Sequence, residues 1–386
     1  MTHSFNIPST IISGAGARKT LADQLNRLKI KRVLFVTDSF FSENGLVDEM
    51  SLSLNKRGIF SAVFSDVQPD PTVEIVQQGL QHLKEFEAEA LIAVGGGSSI
   101  DTAKAISILK TNPEPLNQYM GYHKVKNPGI PMIAIPTTAG TGSEVTKVTV
   151  ITDTKSDTKM MMLDAFLLPT IAIVDYELTI SMPKSLTAYV GVDTLTHAVE
   201  AYVSKKANVM TDPIALSCIR LVSNYLTKAW KNPNNHKARE GMALAACHGG
   251  MAFSNSSVCL IHGMSRPLGV QFHLPHGLSN AVLLPTVTRF SISGAKERYA
   301  NVAKILGFAS SKDSIKASNE ALIDGLLSLN DQLKIPSLQN CVDVDKKKFE
   351  EVLGKMAQDA LDSGSPQNNP VVPTVDQIME LYKQAW

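Results

Sequence analysis

One stretch limits the possible folds more than any other: the apolar run EALIAVGG (89–96) leads straight into a further glycine and SSIDTAKAISIL. Apolar residues follow one another without polar alternation, so a strand here needs cover on both faces. Parallel sheets flanked by helices supply that cover. Three consecutive glycines between a buried strand and a helix let backbone N–H groups come close to a pyrophosphate. The helix N-terminus adds partial positive charge. The hydroxyls of Ser98 and Ser99 can add donors, and Asp101 fits as an early helix residue that complements the dipole. Glycine loops also serve as plain tight turns. The strand–glycine–helix context favours phosphate.

The rest of the first half repeats this arrangement. Strands are expected at 5–12, 31–38, 59–67, 89–96, 130–136 and 170–178, with helices at about 44–57 and 73–86 and a hairpin over 149–163. IPMIAIPTTAGTGSEVT (130–146) again runs from apolar strand into a donor-rich Thr/Gly loop, and two such loops on one sheet edge suit a nucleotide laid across strand ends. GAGARK near the start lacks the third glycine of a dinucleotide fingerprint and reads as a turn into a helix. KRVLFVTD ends on Asp38. A carboxylate there can accept from ribose hydroxyls and repel a 2′-phosphate, favouring NAD over NADP; it can equally cap the next helix.

The alternation stops at Met182-Pro183. Long helical segments follow, at about 184–203, 211–230, 236–253, 256–266, 278–291, 295–306, 314–333, 345–360 and 374–385. The expected division is an α/β, Rossmann-like nucleotide-binding domain over 1–182 and an all-α metal-binding domain over 183–386. In GVDTLTHAVEAY, Asp193 and His197 share one helix face at four-residue spacing. His262 and His276 follow on either side of Pro267, Gly269 and Pro275, so one straight helix cannot carry both. A lone Asp/His pair on a helix is usually core or surface. Two further histidines, each followed by glycine, make an oxygen–nitrogen set suited to Fe(II), Zn(II) or Co(II).

Composition narrows the alternatives. A net charge of +1 without long basic runs gives no electrostatic reason for nucleic acid. Cys218, Cys247, Cys259 and Cys341 are widely spaced and read as reduced thiols of a cytoplasmic protein. The N-terminus lacks the pattern of a signal peptide, and no run of about 18 apolar residues suggests a membrane span.

In fixed order along the chain stand GGGSSIDTAKA, PTTAGTGSEVT, IAIVDYELTISMP, GVDTLTHAVEAY, HGMSRPLGVQFHLPHGLSNA and PTVDQIMELYKQAW. With these the chain resembles the iron-containing (group III) alcohol dehydrogenase family over essentially its whole length. The resemblance implies a dehydroquinate synthase-like fold and a hydride transfer between NAD(H) and a small alcohol or aldehyde, such as a short-chain primary alcohol or diol. It implies Asp193, His197, His262 and His276 as ligands of Fe(II), with Zn(II) as the substitute. Asp38, Gly96, Gly97, Ser98, Thr137, Thr138, Lys159 and Leu178 match positions around the cofactor, and Phe253 matches an aromatic lining the substrate region. A homodimer or larger assembly is the family's usual state.

The chain departs from the family at several points. Arg266 stands where many relatives have a histidine; a guanidinium cannot act as a base at neutral pH but can attract an anionic substrate. His273 is a substitute proton carrier or a supporting surface residue. Asp70, in Pro69-Asp70-Pro71-Thr72, replaces an asparagine and adds a carboxylate on the adenosine side. His248 replaces an apolar residue and reads as a packing variant. A glycerol-type zinc polyol dehydrogenase, a sugar-phosphate lyase and a catalytically inactive nucleotide-binding protein are the competing readings.

Overall fold

The computed structural model describes residues 2–156, 158–341 and 344–386. The chain divides into two compact units, Phe5–Thr179 and Ile180–Trp386, the latter joined by the first few residues.

The first unit is built on a parallel sheet. Its strands are β1 (Thr10–Ser13), β2 (Arg32–Asp38), β3 (Phe60–Val67), β4 (Ala90–Gly95), β6 (Met132–Pro136) and β9 (Ile171–Val174), in the order β1-β9-β6-β4-β2-β3. A smaller sheet holds β5 (Gly121–Tyr122) and the antiparallel hairpin of β7 (Val148–Asp153) and β8 (Thr158–Leu163). The helices are α1 (Leu21–Arg27), α2 (Ser39–Glu43), α3 (Leu46–Asn55), α4 (Val73–Phe86) and α5 (Gly97–Leu109).

Alternation along each strand sends side chains to opposite faces. Leu34, Val36, Leu91 and Ala93 join one core with α4 and α5; Val33, Phe35, Ile92 and Val94 join the other with α1 and α3. After β2 the chain moves to β3 on one side, and after β4 to β6 on the other. The strand order therefore reverses between β2 and β4. That crevice, at the carboxyl ends of the strands, is where open α/β sheets bind ligands.

The second unit is helical: α6 (Lys184–Val203), α7 (Asp212–Lys231), α8 (His236–Asn255), α9 (Leu260–Phe272), α10 (His276–Ser291), α11 (Lys296–Leu306), α12 (Ile315–Gln332), α13 (Lys346–Asp362) and α14 (Val375–Ala385). From Gly191 to Val203 every residue of α6 is buried, so its polar residues must be satisfied by protein groups or by a ligand. Among the described residues, no helix is long and apolar enough to cross a membrane.

Several elements differ from the sequence reading. The first strand begins at Thr10, and the segment 44–57 yields only α3, after a separate short helix capped by Asp38. The strand expected over 170–178 stops at Val174 and passes into a 3-10 turn over Tyr176–Thr179. The helix expected to end at 266 instead runs through Pro267 to Phe272. Proline removes one hydrogen bond there, and packing of α9 against α10 and α13 holds the helix together.

Candidate metal centre and nucleotide crevice

Asp193 and His197 lie on α6, His262 in the first turn of α9, and His276 is the first residue of α10. One ligand atom from each of the four lies within 4.8 Å of the others. Asp193 Oδ1 stands 3.8 Å from His197 Nε2, 3.6 Å from His262 Nε2 and 3.9 Å from His276 Nε2. Ligands held ~2.0–2.2 Å from one tetrahedral ion sit about 3.5 Å apart, so the spacing suits a single cation. Asp193, His197 and His262 are almost wholly buried, whereas the His276 side chain is 46% exposed. Three members of the set are thus buried and one is half exposed.

A glycine after each later histidine has a steric cause. A Cβ on Gly277 would stand 2.6 Å from the Tyr189 carbonyl oxygen, so only glycine lets the start of α10 lie against α6, one turn before Asp193. A Cβ on Gly263 would stand 2.8 Å from Pro366 Cγ. Both approaches place a histidine where it meets the carboxylate.

Electrostatics at the cluster favour positive charge. Burial works to raise the Asp193 pKa, but His197 and His276, together with His262, hold it far below the usual carboxylate range. Burial works to lower that of His262, and Glu200 and Asp193 overcome this, holding it at about 9. A divalent cation satisfies the same field.

Two supporting residues escaped the sequence reading. Glu200 is buried on α6 and accepts from Cys259 N at 2.8 Å, Ile261 N at 2.6 Å and His262 Nδ1 at 2.7 Å. One carboxylate therefore caps the N-terminus of α9 and fixes the His262 tautomer that turns Nε2 toward the other ligands. Asn280, one turn after His276, donates from Nδ2 to Asp193 Oδ1 at 2.6 Å and lies 3.2 Å from the Nε2 atoms of His262 and His276. Its Oδ1 is buried with no hydrogen-bond partner. Glu200 lies three residues after His197 and Asn280 four after His276, each one helical turn from a candidate ligand, which is the signal that could have found them.

Phe253 on α8 stacks on His197, with ring centroids 4.4 Å apart and planes 20° from parallel. Arg266, one turn beyond His262, donates to Ser365 Oγ at 3.2 Å. His273 ends α9 in the left-handed conformation (φ 52°) and is exposed. No hydrogen bond among the described residues ties it to the cluster. His248 Nδ1 lies 3.1 Å from Ser217 Oγ.

The α/β unit gathers most of the expected nucleotide residues at its crevice. Asp38 ends β2 and caps α2, accepting from Phe41 N at 3.1 Å. It lies beside Gly95 at the end of β4, so the carboxylate is a cap and a lining residue at once. Gly95 has φ 151° and no room for a side chain against Ser99. Gly96 precedes α5 as its N-cap, and Gly97 and Ser98 open the helix. Thr138 borders Gly96, and Thr141 borders Gly97, from the loop after β6. Thr137 donates its backbone N–H to Gly95 O, while its buried hydroxyl has no partner.

Asp70 and Lys159 form an ion pair of 2.7 Å within the same unit. Leu178 differs from the rest: it sits in the 3-10 turn and packs on the core beneath the sheet. Asp101 is no dipole residue but a tie, accepting from Ser143 Oγ at 2.6 Å and Val150 N at 2.9 Å.

Comparison with known proteins identifies the family. Residues 8–176 match the family model described as iron-containing alcohol dehydrogenase, and 187–386 match the C-terminal model of that family. The chain is 39% identical over 385 residues to the NAD-dependent methanol dehydrogenase of Bacillus methanolicus, covering 100% of both. It is 35% identical to lactaldehyde reductase of Escherichia coli K12, again covering 100% of both. A crystal structure of 1,3-propanediol oxidoreductase superposes with a TM-score of 0.96 at 35% identity and full coverage of both chains.

Proposed function

The chain belongs to the iron-containing alcohol dehydrogenase family, and on that premise we propose that it interconverts a short-chain primary alcohol or diol with its aldehyde, using NAD(H) and Fe(II). The observation that carries this reading is the convergence of Asp193, His197, His262 and His276 with one ligand open to solvent. A donor set of one carboxylate and three imidazoles leaves a divalent ion with net positive charge, and Zn(II) suits it as well.

When bound, the ion supplies Lewis acidity toward an alcohol or carbonyl oxygen, and the nicotinamide exchanges the hydride. The protein's own groups hold and orient. Asp193 anchors the cation, Glu200 aims His262, and the ring of Phe253 gives His197 an apolar wall that borders the substrate. Arg266 and His273 are the polar groups we assign to the substrate region, Arg266 for attracting negative charge and His273 for carrying a proton. Asp38 receives the adenosine ribose hydroxyls, and the glycine turn with Thr137 and Thr138 receives the pyrophosphate. Asp70 neutralises Lys159 on the adenosine side, which weakens any attraction for a 2′-phosphate and supports NAD over NADP. Leu178 contributes through the core that supports the crevice.

The relatives named for methanol, lactaldehyde and propanediol support a small substrate. We place the protein in the cytoplasm, since its four cysteines are buried and form no disulfide. We also infer a homodimer or larger assembly, because β1 lies at the open edge of the sheet and an edge strand readily pairs with another chain.

The test is a steady-state screen of short alcohols, diols and aldehydes with NAD(H) and NADP(H), on protein reconstituted with Fe(II) or Zn(II). We expect turnover with NAD(H), lost on chelation. A metal-loaded sample inert toward the whole panel would refute the reading.

A further inference from the structure

Lys104 lies on α5, outside the metal cluster, and its side chain is fully enclosed. Burying an ammonium costs several kcal/mol unless its donors are met. Here all three are: Nζ donates to Ser143 Oγ at 2.8 Å, Thr146 Oγ1 at 2.9 Å and Val148 O at 2.7 Å. Asp101 lies one turn earlier, 4.0 Å away, and accepts from the same Ser143 hydroxyl and from Val150 N. Burial lowers the Lys104 pKa to about 8, still leaving it mainly protonated at neutral pH.

The segment so tied is the Thr/Gly loop. From Thr137 to Thr146 it reads TTAGTGSEVT, whose apolar side chains are Ala139 and Val145, both buried. A loop that presents backbone N–H groups to a phosphate must be small and polar, so apolar packing can hold it only through these two side chains. A polar tie adds to that packing. α5 begins at the glycine turn, so a tie from α5 to the loop also fixes the loop relative to that turn.

We propose that Lys104 and Asp101, with Ser143 between them, are positioning residues for the cofactor: they lock the 137–146 loop against the 95–97 turn so that both address one pyrophosphate. The inference rests on the NAD reading above, and the experiment separates the two. Dissociation constants for NADH and ADP-ribose are measured by fluorescence and competition on metal-loaded wild type, Lys104→Met and Ser143→Ala, with kcat and KM for NAD. Metal affinity and Tm serve as controls.

The expected result is a rise of about 10-fold in KM for NAD and in both dissociation constants, the size of one misplaced charge-assisted hydrogen bond. Saturated kcat and metal affinity should stay close to wild type. If wild type binds no NADH, the cofactor reading fails. If wild type binds and folded variants bind equally well, or lose kcat without any change in KM, the positioning role is overturned. Should Lys104→Met not fold, Ser143→Ala, which removes one oxygen, decides alone.

Discussion

Glu200→Gln is the substitution that most directly probes how the metal centre is held. The wild-type carboxylate accepts from Ile261 N through Oε1, and from Cys259 N and His262 Nδ1 through Oε2. Glutamine has one acceptor oxygen. Its cheaper orientation keeps Cys259 and His262 and turns an NH₂ toward the Ile261 N–H, leaving a buried donor unmet. That loss is ~1–3 kcal/mol, and replacing charge-assisted by neutral hydrogen bonds removes about 1 kcal/mol more. The metal-free protein should therefore be ~2–4 kcal/mol less stable to denaturant. His262, less firmly oriented and less basic, should weaken metal binding by about 10–100-fold. Chelator competition measures the second effect and urea unfolding the first. A variant that keeps both values would refute the assignment of Glu200 as joint helix cap and histidine anchor.

Three further outcomes can be checked. Asp193→Ala should leave the far-UV circular dichroism unchanged while metal content and turnover vanish; retained metal would remove Asp193 from the ligand set. Asp38→Gly should narrow the preference for NAD over NADP, read as the ratio of kcat/KM values, and an unchanged ratio would deny it the ribose. Burial raises the Glu144 pKa to about 7 from an ordinary 4.5, so the folded protein holds a proton there that the unfolded chain releases. Stability from this group is complete below pH 4.5 and lost as pH rises through 7. The full span is about 3 kcal/mol, and Glu144→Gln should flatten that part of a Tm-against-pH curve.

The clustering of the candidate ligands was partly legible because helices repeat: the spacing of Asp193 and His197 already implies a shared face. The crevice was legible because apolar strands ending in glycine have few other uses. Glu200 and Asn280 each lie one helical turn from a candidate ligand, yet their roles depend on where α9 begins and how α10 lies on α6, which local sequence does not state. Asp101 misled for a related reason. At the start of a helix it reads as a dipole partner, and only the return of the chain at Ser143 and Val150 gives it a different task. Pro267 looked like a stop, because local rules weigh the lost hydrogen bond and not the neighbours α10 and α13.

The exposure of His276 also bears on how the enzyme keeps its iron. Three of the four candidate ligands are buried and His276 is not, so a bound ion should exchange past the imidazole at the first residue of α10. Dioxygen and chelators should then compete with the alcohol for that approach. A saturating competitive inhibitor should then slow iron loss, and the enzyme should age fastest when idle.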